Sequence, residues 1–221
     1  MRYEIDRELD TLNEQLIAMG KEVKKTINDA IISLENNEKD FAKKIIENDD
    51  EIDNMERDLE RKCLTLMIRQ HPVASDLRLI TAVLKMTTDL ERIGDQAADI
   101  AEISLHFDEL SFLRNATHIP KMAALTIDMV DKSLKAFVNG DLALADEVIK
   151  EDDKVDELFL IVRNELIDLI HKDKKLGEEA MDMLMVTKYL ERIGDHAENI
   201  AYWVIYSITG SMPNGSNIKN I

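Results

Sequence analysis

The chain has 221 residues, with 28 Lys and Arg against 45 Asp and Glu, giving a formal net charge of −17 at pH 7. A 45% hydrophobic share is enough to bury a core, and the length allows one large domain or two small ones. Aromatics at 5%, with 7 Gly and 3 Pro, argue against a sandwich or barrel and favour long helices. The acidic balance is electrostatically unfavourable for nucleic acid or an anionic membrane and suits cations or a basic protein surface. Cys63 is the single cysteine, so there is neither an intrachain disulfide nor a thiolate metal cage, and a reducing compartment is expected. The N-terminal MRYEIDRELD lacks an apolar signal core, and no apolar run reaches membrane-spanning length. A cytoplasmic protein without direct membrane insertion is the expectation.

In chain order, a first helix ends at the turn Asn36-Asn37. The second carries Phe41, Ile45, Ile52, Met55, Leu59 and Cys63 at helical spacing and stops before Pro72. The third buries a stripe of Val83, Met86, Leu90, Ile93, Ala97 and Ile100. Pro120 falls between periodic stretches, and Asn139-Gly140 marks the turn between the fourth and fifth helices. Gly177 opens the sixth, with Lys174 and Lys175 suited to the last turn of the helix before it.

The chain also repeats itself. DLERIGD at 89–95 returns as YLERIGD at 189–195, and Ala97, Asp99, Ile100 and Ala101 match Ala197, Asn199, Ile200 and Ala201. Upstream, DDEID at 49–53 corresponds to DDKVD at 152–156. The first match has an offset of 100 and the second of 103, in the same order in both halves. The sequence therefore predicts an all-α fold of six long helices, arranged as two tandem three-helix bundles related by internal pseudo-symmetry. The first bundle is assigned to residues 1–113, the second to 114–210, and a flexible tail to 211–221, where periodicity ends.

Both halves carry ladders of carboxylates. Glu91, Asp95 and Asp99 stand four residues apart on the third helix, and Glu191, Asp195 and Asn199 on the sixth. The second helix has Asp49 and Asp53 at the same spacing, the fifth Asp152 and Asp156. Like charges so placed repel by roughly 0.2–0.5 kcal/mol per pair. At about 100° per residue, the Glu91 ladder lies on the side of its helix away from the apolar stripe, a face normally solvated. Acidic solvated faces are common in so acidic a chain. Three features point beyond that: the ladder recurs in both halves, each is paired with a DxxxD ladder on the preceding helix, and Asp49 and Asp53 border an apolar stripe. Antiparallel neighbours would bring the two ladders to one groove. Oxygen donors without Cys suit hard ions and can bridge several of them. The expected ligands are Asp49, Asp53, Glu91, Asp95 and Asp99, with Asp152, Asp156, Glu191, Asp195 and Asn199 in the second half. The expected ions are divalent or trivalent (Fe, Mn, Mg, Zn or Ca), including multinuclear clusters.

Gly94 and Gly194 stand inside their helices, which predicts close approach of a neighbouring helix. A ferritin-like di-iron enzyme would need two inward ExxH pairs; the nearest feature, Asp168-x-x-His171, occurs once. His171 and His196 are both read as surface histidines, Cys63 as core, and the eleven methionines as core filler. No phosphate loop, nucleophile elbow or zincin motif occurs, so an enzyme is not expected.

The stretch QHPVASDLR at 70–78, followed by LKMTTDLERIGDQAADIA, resembles the PhoU family of phosphate-uptake regulators, as does YLERIGDHAENIAYWVIYSITG in the second half. The resemblance covers roughly residues 5–210. It implies paired three-helix bundles, often dimeric, with E/DxxxD motifs that bind metal. It further implies a partnership with the phosphate ABC transporter ATPase subunit and, where present, the sensor histidine kinase, acting as a negative regulator of phosphate-starvation signalling. Glu91/Asp95 and Glu191/Asp195 match the motif, while Asn199 removes one acid from the second ladder. Two other classes stay open beside this regulator: a metal-free helical scaffold similar to spectrin-like bundles, and an oxidative di-iron enzyme.

Overall fold

Long segments poor in Gly and Pro form rods, and apolar stripes on each rod decide which neighbours it meets. In the computed structural model of the chain, which describes residues 2–70, 72–107, 118–213 and 218, the rods are α1 (Arg2–Asn36), α2 (Lys39–Glu47), α3 (Asp49–Arg69), α4 (Ala74–Ser104), α5 (His118–Asn139), α6 (Leu142–Lys172) and α7 (Gly177–Thr209). A 3-10 turn, Lys174–Leu176, precedes α7, and there is no strand among the described residues. The first bundle is α1, α2–α3 and α4; the second is α5, α6 and α7. α4 packs on α7 and α1 on α5, so one continuous core runs through both. The expected boundary between residues 113 and 114 lies outside the described residues, as do 214–217 and 219–221 of the expected tail.

The six expected helices are present, with the second divided at Asn48 into α2 and α3. The division restarts the helix just before Asp49, Asp50 and Glu51, placing three acids in a first turn where the helix dipole favours negative charge. The other half has Glu151 at the position equivalent to Asn48, and α6 runs through without a break. There Lys132 Nζ donates to both Glu151 carboxylate oxygens at 2.9 Å.

The turns fall where expected. Asn37 and Gly140, 103 residues apart, both take the left-handed conformation, with φ of 56° and 62°. Two details differ from the sequence reading. Pro120 lies inside the first turn of α5, where its missing N–H has no helical partner to lose. Lys174 and Lys175 lie beyond α6: its last turn carries His171 and Lys172, and Asp173 ends it by accepting from the Lys175 amide at 2.9 Å.

The predicted stripe of α4 is fully buried, and Ile45, Ile52, Leu59 and Cys63 line the facing side of α2–α3. A Cβ built on Gly94 would sit 3.0 Å from the Ile52 side chain, and one on Gly194 would sit 3.3 Å from Val155. Ile52 and Val155 are themselves 103 residues apart, so the two halves repeat this close approach as well as their sequence.

A polar seam joins α4 to α7. The buried carboxylate of Asp89 lies 2.9 Å from His196 Nδ1 and accepts from Asn199 Nδ2 at 3.2 Å. Across the same interface Tyr189 and Asp99 lie near enough to each other to influence one another's titration. Position 89 therefore meets 199 while 189 meets 99, the reciprocal pattern that a two-fold relation demands. His196 is thus a buried member of this seam, only 4% exposed, and not a surface residue; α7 turns that face onto α4, which a reading of α7 as a one-sided amphipath overlooks. His171 and Asp168 are on the surface. Replacing Asp89 by Ala would strand both the His196 and Asn199 side chains without their acceptor. An Asp89→Ala protein is expected to lose about 2–3 kcal/mol in urea unfolding, with Asp89→Asn recovering part of it.

Candidate metal centre

α3 presents Asp49, Asp53 and Glu56 along one face, and the facing side of α4 presents Glu91, Asp95 and Asp99. The helices run antiparallel, so the low-numbered acids of α3 lie near the high-numbered acids of α4: Asp49 feels Asp95 and Asp99, whereas Glu56 lies by Asp95 and Glu91. At the centre, Asp53, Glu91 and Asp95 each bring one carboxylate oxygen within 4.8 Å of the others. Their side chains are 30%, 17% and 34% exposed, which makes this a groove with an open side rather than a sealed box.

Close packing of α3 on α4 strips water from Asp49, Glu56, Glu91, Asp95 and Asp99, and that desolvation is the main reason their carboxyls hold protons more tightly. Burial, with Asp95 and Glu56 adding repulsion, pushes the Glu91 carboxyl up to about 7. Asp49 is pushed up to about 6 by burial and then by Asp95, Asp53 and Asp50. Glu56, Asp95 and Asp99 are raised in the same direction, each chiefly by burial. Asp49 Oδ1 is buried without a hydrogen-bond partner. Two arginines offset part of the charge: Arg57 donates to Asp53 at 2.7 Å, and Arg92 Nε lies 3.5 Å from Glu91. An under-neutralised, partly dry set of oxygens with an orphaned buried acceptor is the donor set that a hard cation fits.

Of the five residues expected in the first half, Asp53, Glu91 and Asp95 converge, Asp49 lies beside them, and Asp99 lies toward Tyr189 of α7; the Glu91 ladder is half-buried rather than solvated as its position on α4 suggested. Glu56 was not anticipated. Its signal was available, because it continues the Asp49–Asp53 face three residues further on. The second half assembles differently. Asp152 and Asp195 are buried, Asn199 is 1% exposed and turned to Asp89, and Asp156 is exposed. Glu191 is ion-paired to Lys188. Among the described residues, no second group of three acids converges there as Asp53, Glu91 and Asp95 do. Cys63 is core as expected, burial pushing its thiol up to about 12.

The PhoU domain family model matches residues 16–104 and 119–204, one copy on each bundle. The chain belongs to the PhoU family. A Clostridium acetobutylicum protein named as a homologue of the phosphate-specific transport system accessory protein PhoU is 38% identical over 93% of this chain and 94% of its own length. The crystal structure of PhoU from Pseudomonas aeruginosa superposes with a TM-score of 0.89 at 35% identity, covering 93% of this chain and 99% of that one. That of the phosphate transport system regulatory protein PhoU from Streptococcus pneumoniae gives 0.88 at 27%, covering 95% and 99%. The paired three-helix bundles are therefore the PhoU fold, and the two PhoU matches coincide with the repeat read from DLERIGD and YLERIGD. No helix among the described residues is long and apolar enough to cross a membrane.

The raised carboxyls of this PhoU chain carry a sign. A carboxyl held above its unfolded value keeps its proton in the folded state after the unfolded chain has released it, so stability falls as pH rises through that window. For Glu91 and Asp49 the window runs from about 4, the unfolded range, to about 7 and 6. Chelator-stripped protein is expected to be more stable at pH 5 than at pH 8. The difference is on the order of 2 kcal/mol after allowing for solvent screening. Glu91→Gln should flatten the profile in denaturant titrations at both pH values.

Proposed function

We propose that this chain is a non-enzymatic, metal-binding accessory protein that regulates phosphate uptake. The reading rests on one observation, the convergence of Asp53, Glu91 and Asp95 in a groove of a PhoU-family chain. Relatives that align over most of the chain are named phosphate-specific transport system accessory proteins, which supports the coarser role in phosphate transport. Their naming as accessory and regulatory proteins supports a regulator rather than an enzyme. The partners that fit are the ATPase subunit of the phosphate ABC transporter and the sensor histidine kinase of the phosphate two-component system. The regulation is negative: starvation signalling is restrained while phosphate is plentiful. A homodimer acting in the cytoplasm belongs to the same reading.

The residues that would hold the ion are Asp53, Glu91 and Asp95, with Asp49, Asp99 and Glu56 beside them. A bound cation would supply positive charge to these carboxylates. The chain's own part is positional. Gly94 lets Ile52 close against α4, which sets the α3–α4 separation; Arg57 and Arg92 hold Asp53 and Glu91 in place at the rim. The ladder then ties α3 to α4, fixing the charge and shape of the helical surface a partner would meet. Those same arginine pairs favour the second reading, a metal-free scaffold whose acidic groove neutralises itself.

Elemental analysis of protein purified without chelator separates the two readings, since a scaffold carries no stoichiometric metal. Asp53→Asn with Asp95→Asn is expected to abolish stoichiometric Mn binding in calorimetry while leaving the helical circular dichroism intact. In a pull-down from phosphate-replete cells, the transporter ATPase should co-purify with the wild-type chain and be depleted with the double variant. Unchanged Mn binding would remove the assignment of the groove, and failure to recover the ATPase would remove the partner.

A further inference from the structure

Alignment of the two halves by their repeat shows where the second carboxylate site has diverged. Lys188 stands where the first half has Thr88, Phe159 where it has Glu56, and Asn199 where it has Asp99. The first two changes lie together in space. Lys188 Nζ is ion-paired to Glu191 and sits 5.7 Å from the centroid of the Phe159 ring, an arrangement that stabilises an ammonium by charge and by the ring face. Asn199 has turned away to Asp89. In the first half, Thr88 is exposed and its hydroxyl bonds only weakly back to Leu84 O, at 3.5 Å. Glu91 there faces further carboxylates where Glu191 faces a lysine.

We infer that the two halves of the chain neutralise their ladders by different means: a polyvalent metal ion in the first, and the tethered ammonium of Lys188 in the second. The inference rests on the metal reading of the first half and adds to it the identity of the residue that limits loading to one side. Lys188 is a positioning residue in this sense, filling with its own charge the place a cation would take, backed by Phe159. A side chain attached to the same helix as Glu191 competes at high effective concentration and needs no free metal.

The test uses the full chain, stripped of metal, with Mn as the probe. In wild type, Mn binding is expected in the first half only and should vanish in Glu91→Gln/Asp95→Asn. Lys188→Met, which keeps the length of the side chain and removes its charge, is expected to add Mn binding that survives the Glu91→Gln/Asp95→Asn background. Thr88→Lys, an exposed substitution three residues before Glu91 as Lys188 is before Glu191, should weaken first-half Mn affinity at least about tenfold, with helical circular dichroism unchanged. If wild type carries Mn in both halves, or if Lys188→Met adds none and Thr88→Lys leaves the affinity unchanged, this inference is overturned while the metal reading stands. No Mn on wild type at any site would overturn both together.

Discussion

Helix α4 is covered from two directions, and most of what distinguishes this molecule follows from that constraint. On one side its apolar stripe fills the core of the first bundle; on another, α7 lies along it. A helix with one solvated face can carry an acidic ladder at little cost, because water screens each carboxylate. α4 keeps only a narrow exposed strip, through Lys85, Thr88, Arg92 and Glu102. Its ladder is pressed into the angle beside α3, and the glycine at 94 lets Ile52 approach until solvent is partly excluded. Desolvation and like-charge repulsion then act on the same groups, and both favour whatever brings positive charge.

The same constraint explains why polar residues are buried in the seam. Two bundles of duplicated sequence that pack through equivalent helices place equivalent residues opposite one another. The Asp89–Asn199 and Tyr189–Asp99 pairs occupy matching places on either side of an approximate two-fold axis. Identical side chains at 89 and 189 would face identical side chains at 99 and 199, and an acid at both would bury four carboxylates in one interface. Divergence to Tyr189 and Asn199 places a hydroxyl beside Asp99 and an amide donor on Asp89 instead of two further acids. The loss of an acid at 199, legible in the sequence as a defect in the second ladder, is in the structure a requirement of the seam.

These contacts decide which features are legible in the sequence. Periodicity reports one buried stripe per helix, and the Val83–Ile100 stripe, the glycines and the turns at Asn37 and Gly140 were all readable in that way. Repeat matching located both ladders and paired each with its neighbour. A second buried face is invisible to a method that looks for a single stripe, and so the burial of His196 and the half-burial of the Glu91 ladder were missed. Glu56 lies three residues beyond the DxxxD pair, outside the i, i+4 spacing that marks the ladders. The break at Asn48 had no strong signal, since Asn is only mildly unfavourable in a helix and the three acids after it are equally compatible with an exposed turn.

Duplication also sets the terms on which the halves can differ. The scaffold positions are held in common: Gly94 against Ile52 and Gly194 against Val155 let both helix pairs approach closely. With geometry fixed, changes at a few rim positions are enough to alter what neutralises the acids. Where no lysine reaches the ladder, as at Thr88, the carboxyls retain protons well above their ordinary range. Where Lys188 reaches Glu191, the positive charge is already in place. A protonated or metal-loaded groove responds to its surroundings, whereas a tethered ammonium does not. On the reading proposed above, the α3–α4 contact of the first half would depend on solution conditions, whereas the Lys188–Glu191 pair of the second would not.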